Sequence, residues 1–427
     1  MMGKFTGVAA RIRMEVPGAV AVHCLAHCLD LCLQDAVRKV RLARQALDAA
    51  RECVKVITSS PKRGALFAAL KADMRPDGGG LRPLCPTRWT VRNVSIGALL
   101  TNYEVAHETL IQVNDDGAGD NASRAGGVMG LMKQFDTFFG LKVLYLVFGG
   151  LEQVSRTLQS KALNIQEARR SVSLGRAYLA GLRKDEVFGD LFAKAESEAT
   201  DLGFVSEPRL PRTKKPPRKL DEQPGTAHAD DSPKDYYRRQ FYEIIDTVDG
   251  QMAARFNQET FLLPEAIEKL LLSAANGEND CAELPTELET YKDDLDFKRL
   301  QIQLKMLPDL IKDLQACGKV SQLKRVTSVQ SLAEIMKEVS MKLMFSEILT
   351  LVKLFLIIPV TTASAERSFS ALRRLKTYLR GTMTQERLNS VALTHIHKAY
   401  TDSVDLSVIA KNFITANDRR LHFFGQV

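Results

Sequence analysis

The densest group of reactive side chains runs His23-Cys24-Leu25-Ala26-His27-Cys28-Leu29-Asp30-Leu31-Cys32. Thiolate and imidazole are zinc ligands, so the cluster raises the question of a metal site. Helical spacing weighs against one. Cys24, Cys28 and Cys32 fall on one stripe, but at 1.5 Å per residue Cys24 and Cys32 are about 12 Å apart along the axis. A zinc ion with sulfur bonds of ~2.3 Å cannot reach both from one helix. No second Cys/His pair at finger spacing follows, so no metal is expected and the thiols read as buried on a helix face.

Three further segments carry chemistry. In Cys85-Pro86-Thr87-Arg88-Trp89-Thr90, the only tryptophan sits beside an arginine in a turn set by Pro86. An exposed pair would suit nucleic acid, guanidinium on phosphate and indole on a base. The alternative is a buried indole with the arginine reaching out to solvent. In Pro359–Ser370, Thr361, Thr362 or Ser364 can cap a helix with Glu366 in its first turn. Glu366 is then either a capping carboxylate or one presented to a divalent metal. Last, Leu372, Leu375, Leu379, Leu388, Val391, Leu393 and Ile396 alternate with Arg373, Arg374, Lys376, Arg380 and Arg387. Such helices pack either within the subunit or on a second copy.

The elements that position these residues read mostly as helix. Val37–Ser59 places apolar residues at a period near 3.6, and Phe135–Leu163 is long and apolar, interrupted only by Gly140, Gly149 and Gly150. Asp235–Phe256 and Pro264–Leu272 read the same way, the latter with its proline in the first turn. Ala19–Val22 and Leu354–Ile358 are strand candidates, although a buried helix end would look like the second. Asn114–Gly127, rich in Gly, Asp and Asn, reads as a loop. Glu207–Pro233, with six prolines among basic residues, reads as an exposed linker, and its Lys-Lys-Pro-Pro-Arg-Lys also fits a nuclear import signal.

The 427 residues are 26% charged and 45% hydrophobic, enough for two or three domains, and exclude a disordered chain or a disulfide scaffold. No apolar run of the ~18–20 residues a membrane span needs is evident, and no signal peptide is expected. The net charge of +8 permits an anionic partner without identifying one.

Taken in order, Cys24-x-x-His27, Cys85 to Trp89 and Ser364-Ala-Glu-Arg-Ser-Phe-Ser370 resemble the hAT superfamily of DNA transposases, in its domesticated, zinc finger MYM-type protein 1-like branch. The resemblance implies a mainly α fold with a minor β part, an incomplete RNase H-like core interrupted by a helical insertion. It divides the chain into a partial core (1–110), a helical insertion (111–206 and 235–340) around a basic linker (207–234), and a dimerisation region (341–427).

Of the three carboxylates by which that family binds two divalent metals, Glu366 matches the third. The other two would lie upstream of a Met-x-Gly-Lys segment resembling Met2-Gly3-Lys4, so catalysis is not expected of these residues. Mg2+ or Mn2+ would enter only with a full-length enzyme. The resemblance further implies DNA contacts at Arg88, Trp89 and Arg367, with Cys24 and His27 as neighbours of the site. It implies dimerisation through Phe369, Leu372, Leu375, Leu379, Leu388, Val391 and Ile396. The expected activity is dimerisation, with itself or a related full-length protein, in the nucleus or otherwise the cytoplasm, without a membrane. A DNA-cleaving transposase and a dimeric transcription or chromatin scaffold are the alternatives.

Overall fold

Apolar side chains recurring every three to four residues can be hidden only on a helix face, and helices are what the chain forms. The computed structural model describes residues 7–16, 19, 21–76, 79–84, 92–116, 119–160, 165–210, 232–256, 261–278, 283–317, 325–337, 342–358, 363–377 and 381–425, excepting the side chains of 342 and 363–367. Contacts divide it into two units, Met1–Thr361 and Thr362–Val427. The first contains α1 (Val8–Glu15), α2 (Leu25–Lys39), α3 (Arg41–Thr58), α4 (Pro61–Met74), α5 (Arg92–Thr101), α6 (Tyr103–Asp115), α7 (Asp120–Met132), α8 (Phe135–Leu158), α9 (Ile165–Leu182) and α10 (Asp185–Leu202). It continues with α11 (Pro233–Phe256), α12 (Leu262–Ala275), α13 (Phe297–Ala316), α14 (Val329–Lys337) and α15 (Ser346–Ile357). The second contains α16 (Ala363–Leu375), α17 (Gln385–Ile396), α18 (Lys398–Asp402), α19 (Leu406–Thr415) and α20 (Asp418–Phe424).

The larger core of the first unit forms around α8, which α3, α5, α9 and α10 flank. By length and composition α8 meets the requirements of a membrane span, which the sequence reading did not anticipate. Its apolar surface is instead buried against protein, from Phe138 and Phe139 through Leu144 and Phe148 to Leu158. Neighbouring helices cover most of it, while Tyr145 remains 46% exposed. An aromatic group ties α8 to α10 and α11. Phe139 lies 5.5 Å from Phe192 and 5.4 Å from Tyr237 by ring centroid, both edge-on. The Tyr237 hydroxyl donates to Asp136, and burial is the largest cause of its raised pKa.

Several helices here have no local cap, so buried polar side chains from distant elements serve their starts. Val40 turns the chain between α2 and α3 and offers no side-chain acceptor. Gln240 of α11 fills the role, its Oε1 accepting from the Leu42 amide at 3.3 Å. In the smaller core, built from α12 to α15, Gln303 of α13 accepts from Glu347 and Ile348 amides at 2.9 and 3.1 Å, at the start of α15. The fully buried Glu268 of α12 accepts from Ile165 and Gln166 at the start of α9. Burial pushes the Glu268 carboxyl up, and the two amides partly offset that.

Among the described residues there is no strand, so the minor β part and the sheet of an RNase H-like core are absent from them. Leu354 to Ile357 finishes α15, whose Leu351, Val352 and Phe355 are buried, so the apolar run is a helix end. Ala19, Ala21 and Val22 are irregular, and residue 20 lies outside the described residues. The expected loop over Asn114–Gly127 is mostly helix, with α6 ending at Asp115 and α7 beginning at Asp120. Of its glycines, Gly119 precedes α7 with a φ of 126°, and Gly126 lies close to the facing helix, where a Cβ would stand 2.8 Å from the Asn114 Oδ1. Of the basic linker, 207–210 has no regular structure and 211–231 lies outside the described residues, while Pro233 opens α11.

The approach to that linker contains a titratable contact. Gly203 ends α10 in the left-handed region, φ 70°, and Phe204 then stacks on His107 at 3.8 Å, its ring nearly parallel. Burial, followed by the Lys133 charge, lowers the His107 pKa to about 4. An unfolded His titrates near ~6.5, so between the two values the unfolded chain binds more protons. The stabilisation is therefore complete above the unfolded value and lost as pH falls towards the folded one. Urea unfolding should show about 2 kcal/mol less stability at pH 5 than at pH 7 from this group. His107→Phe should flatten that part of the profile, and an unchanged slope would count against the assignment.

Candidate functional site

The second unit is short of interior. Its helices are individually well started: Thr384 accepts from the Arg387 amide, Asp405 from Ser407 and Asn417 from Arg419. The hydrogen bonds from Ser407 also hold the Asp405 carboxyl below its usual range. Local caps specify where helices begin but do not hold them together. The longest, α16, has 13 residues, which is marginal for an isolated helix and leaves stability to tertiary packing. Among the described side chains of this unit, only Ala371, Leu388 and Ile414 are buried apolar residues. Phe369 is 70% exposed, Leu393 59% and Tyr400 76%.

The expected dimerisation residues fall into three groups within this unit. Phe369 and Ile396 are exposed and free to meet a partner. Leu388 is buried, and Leu372, Leu375 and Val391 are half-buried, on the two helices α16 and α17 that pack together. Leu379 lies outside the described residues. The hairpin thus uses part of the apolar stripe on itself and leaves part outward. The first unit also presents apolar surface near its end, with Leu343 93% and Ile357 73% exposed.

The residues linked to DNA chemistry are placed less completely. Glu366 and Arg367 belong to the start of α16, and their side chains lie outside the described residues. Arg88 and Trp89 lie in 85–91, also outside them. Cys24 is buried at the N-cap of α2, and His27 is exposed on its first turn. Cys28, Cys32 and Cys53 are buried, and burial pushes the Cys32 and Cys53 thiols up to about 12. Among the described residues no three His, Cys, Asp or Glu side chains are grouped to hold a metal ion.

Tyr400 and the residues after it were not singled out as candidates from sequence. The signal was available, since Leu406–Thr415 is an apolar helix too short to span a membrane.

Two regions match known family models. Residues 336–400 match the hAT family C-terminal dimerisation region. Residues 22–123 match the ZBED1 RNase-like helical domain, which covers α2 to α6 and the first residues of α7. No solved structure matches the chain. The two matches stand in the order in which the Cys-x-x-His and Ala-Glu-Arg-Ser-Phe-Ser motifs occur, one at each end. The chain thus carries one region that matches the hAT C-terminal dimerisation region and one that matches the ZBED1 RNase-like helical domain, both consistent with the hAT resemblance of its motifs.

Proposed function

We propose that this chain acts by protein dimerisation. The observation that carries the reading is the outward apolar surface of α16 to α18, where Phe369, Leu393, Ile396 and Tyr400 are exposed inside the region that matches the family dimerisation model. Helices of this length require packing that their own unit supplies only in part. A second chain laid on the hairpin would bury those side chains, each contributing about 1.5–3 kcal/mol if fully covered.

Light scattering at micromolar concentration should give twice the chain mass. Phe369→Asp with Leu393→Asp should raise the dimer Kd at least tenfold while helicity by circular dichroism is unchanged. Both side chains are exposed, so the substitutions spare the interior. Glu366→Ala should leave dimerisation as it is. A monomer at every concentration would refute the proposal, and metal-dependent nicking by the wild-type chain that Glu366→Ala abolishes would restore the enzymatic alternative.

A further inference from the structure

The apolar surface of the second unit continues past residue 400, where the matched dimerisation region ends. On α19, Leu406 is 75% exposed, Val408 55%, Ile409 50% and Phe413 50%. On α20, Phe423 is 81% and Phe424 55% exposed. These helices pack as a pair. The Phe413 and Phe424 ring centroids are 6.3 Å apart, and Phe424 meets Phe423 at 4.9 Å. The Arg420 guanidinium lies 4.0 Å from the Phe413 ring centroid and donates to the Phe413 carbonyl at 3.4 Å. With Asp405 and Asn417 capping the two helices, the segment is an ordered hairpin with its apolar side chains facing out.

Together the six side chains expose on the order of 700 Å2, using ~150–250 Å2 for a whole aromatic residue as the scale. The largest apolar patch on a typical monomer is ~300–600 Å2, whereas each partner in a stable complex gives up ~800 Å2.

We propose that α19 and α20 extend the dimer interface by docking on a second copy of this chain. The inference rests on the dimerisation reading above and adds to it a segment outside the matched region. Two observations select a second copy. The first is continuity: exposed Leu393, Ile396, Tyr400 and Val404 lead from α17 directly into α19. The second is charge. Residues 401–425 contain Asp402, Asp405 and Asp418 against Lys411, Arg419 and Arg420, a balance of zero within a chain of net charge +8. A two-fold axis sets a surface against its own copy, and a balanced surface does so without like-charge repulsion. Nucleic acid or an anionic membrane would find no attraction in it.

Sedimentation velocity on the full chain, over a dilution series, tests this. Leu406→Asp combined with Phe423→Asp should raise the dimer Kd at least tenfold with helicity unchanged. The single variants Leu406→Ser and Phe423→Ser should each raise it several-fold, which keeps the test open should the double variant lose helicity. An unchanged Kd in the serine variants would overturn the inference while leaving dimerisation through α16 to α18 standing. A wild-type chain that stays monomeric would overturn both. Cosedimentation with anionic phospholipid vesicles, lost in the serine variants while their Kd stays unchanged, would assign the surface to membrane and overturn it as well.

Discussion

Phe139→Ala is expected to lower the stability of the first unit by about 3–5 kcal/mol, the range for deleting a buried aromatic ring. Phe139 is completely buried, and its ring is the meeting point of three helices. It stacks with Phe135 of its own helix at 5.7 Å and meets Phe188 and Phe192 of α10 edge-on at 6.3 and 5.5 Å. Tyr237 of α11 closes the other side at 5.4 Å. Truncation therefore removes hydrophobic transfer, leaves a cavity, and takes away several edge-to-face contacts worth ~0.5–1.5 kcal/mol each. Collapse into the space is hindered because each neighbour is held from behind, Tyr237 by its bond to Asp136 and Phe188 by Phe241 at 5.8 Å. Chemical denaturation read by helicity measures the loss. Phe192→Ala in the same chain should add less than its own cost, because the two rings share one cavity. A loss below 1 kcal/mol would mean that α8, α10 and α11 do not converge on this ring.

The helices of this core could be read from the sequence, and their corners could not. Periodicity located Asp235–Phe256 and most of Phe135–Leu163, since each is one amphipathic or fully apolar run. It also gave a single helix over Val37–Ser59, which the structure divides at Val40. No proline or glycine marks that corner. What stabilises it is Gln240, nearly two hundred residues later, together with the Arg44 guanidinium donating to the Arg38 carbonyl at 3.2 Å. A cap supplied from that distance leaves no trace in the local sequence. Glycine misled in the opposite direction at Gly126, where the small side chain serves close packing of α6 and α7 rather than a loop.

For the candidate interface, the family resemblance was legible because its signature sits in short motifs whose order is specific. The amount of surface left over was not legible. A stripe such as Leu372, Leu388, Val391 and Ile396 reads the same whether it is consumed by a hairpin or offered to a partner. Only the fold separates buried Leu388 from exposed Ile396. The segment beyond residue 400 lacked even a motif, and its significance lies in exposure that composition cannot report.

Gly140→Val is expected to destabilise the first unit as well, by the opposite route to the loss of the Phe139 ring. Gly140 lets α8 lie against α3, whose facing side chains Ala43, Ala46 and Ala50 are themselves small and buried. A Cβ at position 140 would stand 2.7 Å from the Ala46 Cβ and 3.1 Å from the Leu42 carbonyl oxygen. Neither neighbour is the tip of a flexible chain, so relief requires the two helices to separate. Glycine inside a helix sacrifices roughly 1 kcal/mol of propensity relative to alanine, which makes the close approach the reason for its presence. Valine adds two methyl groups to the clash, and overpacking of this kind costs about 1–3 kcal/mol, occasionally more. Gly140→Ala presents a finer balance, because the propensity gain opposes the single-atom clash. Adding Ala46→Gly should then recover part of the loss, since it removes the nearest obstructing atom while Leu42 remains. Denaturation midpoints for the single and paired variants decide the matter. Recovery places the two positions in contact, whereas a Gly140→Val chain as stable as the wild type would exclude the observed approach of α3 and α8.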